Sequence, residues 1–181
     1  MLDVSRHACL AVLSSQAVLS PRMTTDALIV AFVEALRTRG AAVSSGDNAG
    51  LLERLELELD VRLPDSYRSL VSRFDYGSIN VGGVTLYGTT PSDDYEAVHA
   101  AAVNDRSLYD IVRAAGFVPI GRPETGSYDP VCFDTRRAVA HHEYPIVRLD
   151  HEQALCHSRA KITGSLAGSF RELVTRYLDG G

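Results

Sequence analysis

The chain has 181 residues, 45% of them hydrophobic and 23% charged, which excludes the disordered and fibrous classes. Cys9, Cys132 and Cys156 stand far apart with no paired spacing, excluding a disulfide framework and a zinc knuckle, and no apolar run reaches the roughly 20 residues of a membrane span. The net charge of -5 is concentrated in residues 51–100, with nine acids against four bases, and the 17 arginines and one lysine form no stripe that would neutralise a row of phosphates.

A chain of this length buries roughly 70% of its unfolded surface without disulfides or metal. Residues 23–181 are therefore expected to form one domain, with reduced thiols and a cytoplasmic location. Residues 1–22 resist interpretation. Arg6 and His7 before the apolar stretch 8–13 imitate a signal peptide, but Ser14, Ser15 and Gln16 cut it to six residues. The segment is either a flexible extension or lies ahead of a natural start at Met23, and both readings stay open.

Thr24, Thr25 and Asp26 make a helix entrance, and Ile29, Phe32, Val33 and Leu36 recur at helical spacing up to Gly40. A loop over residues 41–46 leads to a second helix. Its Leu52, Leu55 and Leu59 turn inward, and its Glu53, Glu56 and Asp60 turn to water. Pro64 opens a third helix, with Tyr67, Leu70, Val71 and Phe74 on one face. Residues 78–81 and 84–87 around Gly82-Gly83 read as a hairpin. Asp93 and Asp94 cap a helix through Val98 and Ala102, and Leu108, Ile111, Val112 and Ala115 mark another, closed by Gly116. Strands are expected at 117–120, 130–134, 138–142 and 146–149, with residues 123–126 as the strongest break. Ser169 and Glu172 form a capping box before Phe170, Leu173, Val174 and Tyr177. The order predicts an α+β fold in which about six strands form one largely antiparallel sheet flanked by helices.

Catalytic fingerprints such as GxSxG, GxxxxGK[ST], HExxH and GxGxxG are missing from the sequence. The titratable cluster His141-His142-Glu143 with Asp150-His151-Glu152 is the one place for a metal or an acid and base. If residues 138–142 are a strand, however, His141 and His142 point to opposite faces, and turn or surface roles fit better. Cys132, flanked by Val131 and Phe133, reads as a buried structural thiol. The strip Glu53, Glu56, Glu58 and Asp60 reads as a solvated helix face, with partner binding as the other option.

The segment LERLELELDVRLP followed by DSYRSLVSRFDYGSINVGGVTLYG resembles the signature of the SUKH superfamily, an acid-bearing helix, Leu-Pro, an aromatic, then a glycine turn and a strand ending in Tyr-Gly. FVPIGRPETGSYDPVCFDTR resembles that family's central strands, YPIVRLDHE the next strand, and SFRELVTRYL the final helix, so the likeness runs over residues 45–178. The resemblance implies a mixed sheet with flanking helices, no catalytic role, no cofactor and no metal. It also implies a protein-binding module, in a family typified by a yeast cell-wall assembly regulator and by bacterial proteins that confer immunity to polymorphic toxins. The Arg-for-Lys bias favours the bacterial branch.

The expectation is a cytoplasmic immunity protein whose partner is a basic toxin domain, such as a nuclease, held by Tyr76, Tyr87, Tyr95, Asp129 and His151. Direct nucleic-acid and membrane binding are not expected, and the oligomeric state is open. Three rivals remain. One is a regulator or scaffold of the same family. Another is a small-ligand binder around Tyr87, Asp134 and His151, and the third is a hydrolase using His141, Asp150 and His151.

Overall fold

The computed structural model describes residues 23–90, 97–99, 108–139 and 142–180. Helix α1, Thr25–Thr38, starts where Thr24 Oγ1 accepts from the Ala27 N–H at 3.3 Å, and it buries Leu28, Ile29, Phe32, Val33 and Leu36 as its periodicity predicts. Gly40 then takes a φ of +89° and releases the chain. Helix α2, Ala49–Leu59, and helix α3, Asp65–Arg73, follow. Glu56 is not a water-facing residue, contrary to expectation. Its Oε1 accepts from the Leu63 N–H at 2.7 Å and its Oε2 from Arg68, which ties α2 to α3. Glu53 and Asp60 are exposed as expected.

Residues 41–46 are more than a loop. Strand β1, Val43–Ser45, pairs antiparallel with strand β2, Phe74–Tyr76, in a small sheet of its own. Asn48 Nδ2 fastens the pair by donating to Phe74 O at 3.1 Å and Asp75 Oδ1 at 2.8 Å. Strands β3, Ile79–Val81, and β4, Val84–Leu86, form the expected hairpin, with Gly82 and Gly83 at φ +56° and +83° in the positive-φ turn that suits strand twist.

The main sheet has the order β3-β4-β5-β6-β7-β8 and is antiparallel throughout. Its remaining strands are β5, Phe117–Pro123, β6, Val131–Asp134, β7, Ile146–Leu149, and β8, Ile162–Ala167. The α+β class and the six strands match the sequence reading, but one strand is exchanged. Of the expected strand at 138–142, residues 140 and 141 lie outside the described residues; Val139 makes an isolated bridge to Glu143, His142 adopts a left-handed φ of +53°, and β8 fills the sixth place in the sheet. Helix α4, Tyr109–Ala114, ends at Gly116 as expected. The helix expected through Val98 and Ala102 lies mainly outside the described residues, as does the segment 1–22. Helix α5, His151–His157, follows β7, and helix α6, Phe170–Leu178, closes the described chain.

Helices α1, α3 and α6 form one layer on the sheet. At its centre Phe133 of β6 meets Tyr67 of α3 and Phe170 of α6, with ring centroids at 5.3 and 6.4 Å and near-perpendicular planes, each worth ~1 kcal/mol beyond burial. A carboxylate completes the joint. Glu143 is buried, its Oε1 accepting from Ser66 N–H at 3.1 Å and from the Ser66 hydroxyl, its Oε2 from Phe170 N–H at 3.1 Å and Arg171 N–H at 3.3 Å. One side chain thereby satisfies the open amides that begin α3 and α6, where helix dipoles favour negative charge.

Candidate functional site

Two of the sequence-predicted contact residues meet. Antiparallel pairing places the start of β6 beside the end of β7, with Leu149 N donating to Pro130 O, so Asp129 ahead of β6 lies against His151 at the start of α5. The His151 Nδ1 is 2.7 Å from Asp129 Oδ1, and the His151 backbone N–H donates to the same oxygen at 3.2 Å. An ionised carboxylate only accepts, so Nδ1 carries the proton of this bond. Burial pushes the Asp129 carboxyl up, but hydrogen bonds from the His151 ring and backbone, with Ser127, outweigh it and hold the group below the usual carboxylate range. Arg148 Nε stands 4.0 Å from Asp129 Oδ2.

Exposed apolar side chains stand near the pair alongside the charged Arg148, Glu152 and Lys161. The Tyr128 ring centroid is 6.1 Å from that of His151 and the residue is 76% exposed. Leu155 lies one helical turn beyond His151 on α5, and it and Ile162 at the start of β8 are both exposed. Sequence reasoning missed Tyr128 and Leu155. The signal was available, because an aromatic in a turn just ahead of Asp129 has no strand or helix period to draw it inward.

The other predicted residues lie elsewhere. Tyr76 and Tyr87 are buried in the core and in this conformation neither offers its ring to a partner; alternation along β2 turns Tyr76 inward, while Tyr87 follows β4 directly after the equally buried Leu86. The buried hydroxyls of Tyr76 and Tyr67 influence each other's ionisation, and burial pushes both up. Tyr95 and His141 lie outside the described residues.

The alternative clusters do not assemble. Asp134, also buried, accepts Arg136 Nε at 2.7 Å and Nη2 at 2.9 Å, a pairing that holds its carboxyl below the ordinary range against burial. It ends β6 while Asp129 precedes that strand, which separates Asp134 from His151's partner by about 16 Å of extended chain. Tyr87, Asp134 and His151 therefore do not line one pocket. Asp150 caps α5 by accepting Gln153 N–H at 3.1 Å and lies 3.7 Å from Lys161 Nζ, so Asp129, and not Asp150, holds His151. Among the residues described, His142 is exposed while Glu143 turns into the core, and no group of three potential metal ligands occurs. Cys132 is buried, which pushes its thiol well up and leaves it inert.

Two further features bear on recognition. On α2 and its C-cap, Glu53, Glu58 and Asp60 are exposed, as is Leu57 at 81%. A groove of about 610 Å³ opens over the N-termini of α1, α3 and α6, but Glu143 already takes the amides there, and Arg171 across it donates to Thr25 Oγ1 at 3.4 Å. No helix among the described residues is long and apolar enough to cross a membrane.

A model of the SMI1 / KNR4 family (SUKH-1) matches residues 48–176, from the residue before α2 into the last turns of α6. No curated protein matches the chain.

Proposed function

The chain belongs to the SMI1 / KNR4 family (SUKH-1), and on that premise we propose that it is a non-catalytic protein-binding module, a bacterial cytoplasmic immunity protein that neutralises a cognate toxin by occluding its surface. The observation that carries the reading is the half-buried Asp129–His151 pair with the exposed Tyr128 ring beside it and the exposed Leu155 one turn along α5. A polar pair held in one geometry beside an exposed aromatic ring, with a charged rim of Arg148, Glu152 and Lys161, has the anatomy of an interface centre. The excess of acid over base in residues 51–100, displayed on α2 and its C-cap by Glu53, Glu58 and Asp60, supports a basic partner captured at an accelerated rate.

The test is co-expression with the polypeptide encoded by the adjacent gene, followed by titration of the two purified proteins. The expected result is rescue of growth and a nanomolar complex. His151→Ala with Tyr128→Ala should weaken that complex by roughly 100-fold while melting within a few degrees of wild type. A harmless neighbouring product that forms no complex rejects the immunity reading.

A further inference from the structure

The main sheet ends in two different edges. At one edge, β8 slips register twice against β7, so that Thr163 and Leu166 drop out of the ladder, and Lys161 stands at its start. Bulges and a lysine are what blunt an edge against further pairing. At the other edge, β3 runs in unbroken register against β4. The two-residue Gly82-Gly83 loop makes Val81 and Val84 the hydrogen-bonded pair, so the alternation of the ladder turns the Asn80 N–H and carbonyl outward. Thr85 Oγ1 donates to Asn80 Oδ1 at 2.7 Å, as expected where a non-hydrogen-bonded pair brings side chains close.

That open edge borders a groove of about 730 Å³ lined by Asn80, Leu36 near the end of α1, Tyr177 near the end of α6 and the small residue Ala42. The ends of the helix layer thus close the floor of the groove, with Leu36 and Tyr177 buried beneath it and Arg39 lying over the Tyr177 ring. The groove's charges are unequal in freedom. Both are exposed, but Arg39 is engaged over the Tyr177 ring at 4.1 Å, whereas the backbone of Glu124 is fixed by donation to Gly83 O at 3.0 Å and its carboxylate stands at the surface.

We propose that the free edge of β3 accepts an extended segment of the protein partner as a seventh strand, with a Lys or Arg of that segment meeting Glu124. The proposal rests on the protein-binding reading and adds the element by which the partner is gripped.

The test uses the full chain, with the adjacent-gene polypeptide and a displayed library of eight-residue peptides as probes. Asn80→Pro removes the outward N–H but fits the β3–β4 ladder, because proline is tolerated where an edge N–H faces away from its neighbour. Asn80→Ala keeps that N–H and loses the side chain. Asn80→Pro should weaken binding of the polypeptide about 30-fold or more and Asn80→Ala less than about 3-fold, with Glu124→Lys near tenfold at low salt. Peptides recovered by wild type should carry Lys or Arg and should not be retained by Asn80→Pro. Asn80→Pro and Asn80→Ala melting within a few degrees of each other certifies the fold. Undiminished binding by Asn80→Pro, or equal loss in both Asn80 variants, overturns the added strand and leaves the immunity reading standing. No binding of the polypeptide to wild type rejects immunity, and the library then decides: recovery of no peptides, or of the same ones by Asn80→Pro, overturns the groove.

Discussion

Glu143 accepts from four donors belonging to α3 and α6, so its removal strands the opening amides of two helices at once. Glu143→Ala should destabilise the fold by roughly 3–5 kcal/mol, read by urea unfolding at neutral pH. Glu143→Gln, which presents a donor to donors, should recover only part of that. In the sequence this residue looked like a member of a histidine-rich titratable cluster. Its real role depends on partners 77 and 27 positions away, and no local pattern encodes that distance. Asp129 and His151 were legible as polar residues at strand ends, but their mutual bond follows only from the β6–β7 register. Tyr76 and Tyr87 were chosen for residue type; alternation along β2 buries Tyr76, while Tyr87 is buried just past β4, where no alternation points inward.

Among the elements, those with a long period or a cap were readable, and those defined by a distant partner were not. α1 and α6 had both. Ser169 Oγ accepts from Glu172 N–H at 3.0 Å, and Glu172 reaches back to Gly168 N–H at 2.9 Å, one residue outside the usual box. Ser169→Ala should lower stability by about 1 kcal/mol, seen as a modest fall in Tm. β1 spans three residues and exists because β2 pairs with it, while β8 contains Gly164 and is largely exposed, so neither shows the alternation that betrays a half-buried strand. α5 was missable for another reason. Asp150-His151-Glu152 was weighed as chemistry when it is an N-cap followed by an acidic first turn. At Gly121, where β5 and β6 slip register, a Cβ would lie 2.3 Å from Thr85 O, so Gly121→Ala should part β4 from β5 at about 2–3 kcal/mol, measurable by hydrogen exchange of the hairpin.

At the scale of the whole molecule, two carboxylates shape the acid limb of stability. Asp129 and Asp134 both sit below the ordinary range in the folded state, so their contribution is present above about pH 4 and is lost as pH falls through their depressed values. Asp134→Asn should be less stable at neutral pH and lose less on acidification, as chemical unfolding at pH 7 and pH 3 would show. The uneven charge of the chain predicts that association with a basic partner slows steeply between 50 and 200 mM salt, on the order of tenfold, with dissociation little changed. The α+β class and the strand number were legible because hydrophobic period and glycine placement determine them. The sixth place is filled by β8, which pairs with β7 across α5 and whose largely exposed, bulged run shows no alternation in the sequence.

The carboxylate shared by α3 and α6 also orders events during synthesis. When the ribosome has delivered β7 but not Ser169, Glu143 has only the Ser66 donors to meet it, and the groups it will later cap at α6 do not yet exist. The aromatic joint of Tyr67 and Phe133 lacks Phe170 for the same reason. A chain that lacks α6 therefore holds an ion against an unfinished apolar seam, so the loss of one helix opens a polar and an apolar gap together.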